Sequence, residues 1–152
     1  MARGGNHIKI TVKSIVGGLV SGIALGLFLK LIQFLTNLKV YTLLLNVDYV
    51  PILKNIQLPE IIEFGLHLVI SIMLAFILNL YIKRKRLRKE AIHRFVLRVS
   101  LIVGLLLYPT TLLSERTPSI TDAYAFVMWM AGHWIYGIIL ARILSHKEGE
   151  RV

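Results

Sequence analysis

Four apolar stretches, from about Ile15 to Thr36, Ile61 to Ile82, Val96 to Leu113 and Ala123 to Leu144, decide what this chain can become. The hydrocarbon core of a bilayer is about 30 Å thick, and a helix rising about 1.5 Å per residue crosses it with roughly 20 mostly apolar residues. Each stretch is long enough. With 56% hydrophobic residues among 152, and a mean hydropathy of +0.70, the chain is too apolar for an ordinary soluble domain of its size. The reading is all-α: a polytopic membrane protein, a four-transmembrane-helix bundle in a single transmembrane domain covering residues 1–152. The longest connection, Asn37 to Glu60, is too short and too apolar for a second domain.

A net charge of +10 would suggest nucleic acid in a soluble chain. Here the charge flanks apolar segments without interleaved aromatics, so nucleic acid is not an expected partner and topology is the better explanation. Arg3, Lys9 and Lys13 precede the first helix, eight basic residues lie between Lys83 and Arg98, and Arg142, Lys147 and Arg151 come last. These fourteen fall on one face of the membrane, whereas Lys39, Lys54 and Arg116 fall on the other. The positive-inside rule then puts both termini and the central basic loop in the cytoplasm. Within that loop Lys83, Arg84, Lys85, Arg86, Arg88 and Lys89 suit orientation of the chain and contact with anionic lipid headgroups, worth up to about 1 kcal/mol per charge. The basic cluster ahead of the first apolar stretch resembles a secretory signal, but that stretch is too long and no small-residue cleavage site closes it, so it is expected to be a retained helix. Cysteine is absent, which removes disulfides, thiolate catalysis and cysteine-ligated metals.

The first helix carries Gly18, Gly22 and Gly26 at four-residue spacing, a stripe that admits another backbone closely. Packing inside the bundle and a homodimer contact both fit. In the second helix Glu63, His67, Ser71, Ala75 and Asn79 form a polar or small stripe that lipid should force inward. Pro109 should kink or end the third helix. The fourth, capped by Thr121 or Asp122, aligns Trp129, His133, Gly137 and Ala141. The stretch Asn37 to Glu60 is expected along the outer interface, as a short helix or a hairpin.

From this topology Lys30, Glu63, His67 and His133 form a polar intramembrane cluster in the outer half. A charge near the bilayer centre costs about 2.5 to 3.5 kcal/mol, so Lys30 and Glu63 have reason to pair. The cluster is either a structural pair fixing helix register or an outward-facing cavity in which Glu63, His67 and His133 bind or relay protons. Two imidazoles and a carboxylate are adequate zinc ligands, but their spacing matches no metal motif, and neither a metal nor another cofactor is expected. No GxSxG, HExxH or phosphate-cradling loop is present, so no catalytic residues are expected.

The order of these landmarks, namely the glycine-rich first helix ending in Lys30, the HLVIS stretch with His67 and Ser71, Pro109 before a Thr-Pro turn, and Gly132 beside His133, resembles the YagU/YqhR family of small bacterial inner-membrane proteins. The resemblance spans about Ile15 to Leu144 and departs in a shorter outer first loop. It implies four helices in a bacterial cytoplasmic membrane and a connection to acid tolerance, without an agreed activity. The expected function is therefore a non-enzymatic membrane protein, an accessory or assembly partner of a larger complex or a homo-oligomer. The alternative is a small transporter or proton-responsive channel using Lys30, Glu63, His67 and His133.

Overall fold

The computed structural model describes residues 3–46 and 58–146. Five α-helices follow in order: α1 (Arg3–Thr36), α2 (Val40–Leu45), α3 (Glu60–Lys85), α4 (Lys89–Leu107) and α5 (Ala123–Ser145), with a 3-10 helix, Tyr108–Leu113, between the last two. Among the described residues four segments are long and apolar enough to cross a membrane, Ile10–Thr36, Glu60–Lys85, Lys89–Leu113 and Ala123–Ser145, as an integral membrane protein requires. No strand occurs among the described residues.

Hydropathy places the spans but undershoots the helices. Helix α1 begins at Arg3 rather than near Ile15, and α4 at Lys89 rather than Val96. Basic side chains are good helix formers, so a helix nucleated by its apolar part continues through polar turns that a hydropathy window discards. The α3 start moves by one residue, from Ile61 to Glu60, and that residue matters below.

Helices α1 and α5 form the centre. The glycine face of α1 lies on α3, while Leu25 and Leu29 of α1 press on α5 around Gly132. On its other side α5 meets α4, where Gly137 accommodates Leu97 and Ser100. A row results, α3, α1, α5, α4. At the basic end the outer pair is joined by the turn 86–88 and a Tyr81–Phe95 ring stack at 4.8 Å. Elsewhere α3 and α4 make no comparably extensive contact among the described residues, and they face each other across a cavity.

At the basic end the interior is tight, with Ala75, Val96 and Leu140 wholly buried, joined by Leu78, Ile82 and Leu144. Asn79 donates to Ser14 Oγ and the Ile10 carbonyl, and the Lys13 ammonium donates to the Leu144 and His146 carbonyls at the end of α5. A cation there suits the negative end of the helix dipole. Lys83, Arg84, Lys85, Arg86, Arg88 and Lys89 are all exposed.

At the opposite end Asn37, in the left-handed region at φ 59°, turns the chain back from α1. Gln33 then clamps Thr42 through three hydrogen bonds, two from or to its hydroxyl and one from its backbone N–H. So held, α2 is a short helix, one of the two forms expected for this stretch, and Val40, Tyr41, Leu43 and Leu45 are buried against the bundle. Residues 47–57 of that connection, with Tyr49, Pro51 and Lys54, lie outside the described residues, as do Lys147 and Arg151, and the Arg3 and Lys9 side chains. Pro109 ends α4 as an α-helix and the chain continues as the 3-10 turn, while Asp122 caps α5 by accepting from the Ala125 N–H at 2.9 Å.

Candidate functional site

The antiparallel register of α1 on α3 fixes who meets whom. A Cβ added to Gly18 would lie 2.5 Å from the Ile72 Cα, one on Gly22 3.0 Å from Leu68, and one on Gly26 2.4 Å from the Phe64 ring. Four residues further along α1, and four earlier on α3, the same register brings Lys30 to Glu60. Their ion pair measures 2.6 Å, both side chains more than half exposed, with the Tyr41 hydroxyl donating to the same carboxylate oxygen at 3.0 Å. Burial, and then the hydrogen bond to Glu60, push the Tyr41 phenol up to about 12, so it remains a donor at physiological pH. The expected Lys30–Glu63 pairing is thus replaced: Lys30 sits with Glu60 and Tyr41 on a shallow groove between α1 and α3, apart from the other members of the cluster.

Glu63, His67 and His133 do come together. They line a cavity of about 90 Å³, walled by Leu25, Leu66, Ile70, Leu74, Val103 and Leu107 and roofed by Leu43, Leu44, Leu45 and Asn46. That volume exceeds several-fold the roughly 10–15 Å³ that admits one water. Glu63 is only 5% exposed, and its recorded ionic partner is Arg116, 3.6 Å away in the α4–α5 connection with a half-exposed side chain. One turn deeper stands His67, and across the cavity His133, 4% exposed, packs on Trp129 with ring centroids 4.5 Å apart. Gly104 makes room for it: a Cβ there would lie 2.6 Å from the imidazole Cγ. The floor is Ser71 and Tyr136, with Ser100 beside them.

The hydrogen bonds decide what this lining offers. Ser71 donates to the Gly18 carbonyl at 2.7 Å, Ser100 to that of Val96 at 2.8 Å, and Thr110 to that of Leu107 at 2.7 Å. Trp129 donates to the Gly104 carbonyl at 2.8 Å, and Tyr136 to that of Ser71 at 3.3 Å. His133 Nδ1 lies 3.0 Å from the Trp129 carbonyl, and the buried Nε2 of His67 has no hydrogen-bond partner among the described residues. A carbonyl accepts, so the His133 ring carries its proton on Nδ1 and presents a bare Nε2 when neutral.

Of the packing residues, Gly18, Gly22, Gly26 and Ser71 lie in the α1–α3 contact, Ala75 is wholly buried, and Gly137 lies against α4. Sequence reasoning missed Glu60, left in the loop by a boundary one residue late, and Arg116, counted only as a loop charge. It also missed Tyr136 and Gly104 as site residues. Tyr136 had a signal, standing one turn after His133. No group of three His, Cys, Asp or Glu side chains converges as metal ligands would among the described residues. No protein-family model, curated protein or solved structure matches this chain.

Proposed function

We propose that this chain is a non-enzymatic binding protein of the bacterial cytoplasmic membrane, with both termini inside, serving as an accessory or assembly partner within a larger membrane system or as a homo-oligomer. One observation carries the reading: a polar-floored cavity at the end away from the basic turn, closed below by the packing of Ala75, Leu78, Val96 and Leu140. A blind chamber of mostly apolar walls and a few convergent polar groups is the usual form of a binding site. Catalysis is disfavoured because the cavity hydroxyls donate to backbone carbonyls and none is aimed at an imidazole base. Orientation follows from the basic residues at the α3–α4 turn, and the bacterial membrane from the resemblance to the YagU/YqhR family.

Native mass spectrometry after mild detergent extraction tests this. A co-purifying protein, a second copy or a bound small molecule is the expected result, and a bare monomer counts against it. A second reading, a proton-responsive transporter, is favoured by the two imidazoles sharing the chamber, and the implied connection to acid tolerance would run through them. It requires the apolar plug to open. A pH-dependent flux in proteoliposomes, lost in the Glu63→Gln and His67→Ala double variant, would establish it, and absence of flux from the parent protein would remove it.

A further inference from the structure

The hydroxyl and indole donors of the cavity are spent on backbone carbonyls, and around Glu63 the groups facing inward are its carboxylate, the Nε2 of His67 and the corresponding nitrogen of His133. The Asn46 amide, at the roof, adds a donor and an acceptor on the side away from that trio. Among the described residues of that lining, the formal charge is the negative one of Glu63. Its ionic partner among the described residues, Arg116, lies beyond hydrogen-bond distance at 3.6 Å and is half exposed, while Lys30 is held by Glu60 outside the chamber. A buried carboxylate beside imidazole nitrogens selects a guest that is cationic, brings its own N–H donors and is small enough for about 90 Å³.

Resting on the reading of this chamber as a binding site, we infer that it binds a primary ammonium group, with the ammonium on Glu63 and His67 and a short carbon stem against Leu66, Ile70 and Leu107. The stem has two possible sources. A free alkylamine would enter from the outer side, and the aminoethyl headgroup of a phospholipid would enter between α3 and α4, where the walls come from both helices. The shared chemistry is the ammonium.

Trp129 is a built-in reporter because it lines the chamber and packs on His133. The chain has two tryptophans, so Trp134→Phe leaves this one alone. In detergent micelles at matched sodium chloride, ethylammonium chloride should change Trp129 emission saturably, while ethanol and sodium propionate should not. Glu63→Gln should weaken ethylammonium about tenfold or more, as loss of a charged hydrogen bond does. Exposed Arg116→Gln should tighten it by removing the competing cation, and this variant keeps the test decisive where Glu63→Gln does not fold. In nanodiscs, an ethylammonium affinity that rises when phosphatidylethanolamine is replaced by phosphatidylcholine, which is equally zwitterionic but has no ammonium N–H, identifies the headgroup as the natural source, and an unchanged affinity identifies a free amine. An equal response to ethanol or propionate, an unchanged affinity in Glu63→Gln, or no tightening in Arg116→Gln overturns the inference and leaves the chamber as a binding site of other specificity. Silence toward all three probes removes both.

Discussion

At the scale of single residues, space decides more than polarity. Gly18 has the Ile72 backbone where a side chain would begin, whereas Gly65, on the same pair of helices, has nothing within 4 Å. Gly18→Ala should therefore lower stability by about 1–3 kcal/mol through overpacking. Gly65→Ala should be neutral or raise it by up to about 1 kcal/mol through helix propensity. Thermal unfolding in detergent separates the two, and equal losses would refute the register described for α1 and α3. The Lys30–Glu60 pair is short but exposed on both sides. Lys30→Ala should then cost less than about 1 kcal/mol, with the loss shrinking at high salt. The four-residue spacing of the glycines was legible from the sequence, but the identity of the acid opposite Lys30 was not, since Glu60 and Glu63 differ by most of a helical turn and only the contact register chooses between them.

Among the elements, ends proved harder to read than middles. The α3 helix closes with Arg86 in the left-handed region at φ 50°, its N–H and that of Leu87 returning to carbonyls of the last turn. Glycine takes this conformation without a Cβ penalty, so Arg86→Gly should raise the unfolding temperature, by roughly 1 kcal/mol in stability. A loss there would show that the arginine side chain contributes more than its backbone strain costs. Helix α2 shows what periodicity misses. Six residues are too few for a pattern, and their burial depends on the Gln33–Thr42 clamp, a contact nine residues apart that nothing in the local sequence announces. The α5 cap, by contrast, could be narrowed beforehand to Thr121 or Asp122, because capping is settled within three residues, and the structure chooses Asp122.

For the whole molecule, orientation is the statement most open to a direct check. The chain lacks cysteine, so single introduced thiols report unambiguously. In intact cells an impermeant maleimide should label Arg116→Cys and reach Lys85→Cys only after lysis, and the reverse pattern would invert the topology. The sequence by itself determined the four spans, the basic end and the inward turn of the α3 stripe. Insertion free energy is a property of each segment of roughly 20 residues, and a polar group in lipid must face protein whatever that protein is. Tertiary structure alone decided the row α3, α1, α5, α4, the pairing of Lys30 with Glu60, and the convergence of Glu63, His67 and His133 on one chamber. Those outcomes depend on how helices distant in the chain rotate and slide to fit each other's small residues. Lipid, which looks the same from every side, supplies no preference for one such fit over another.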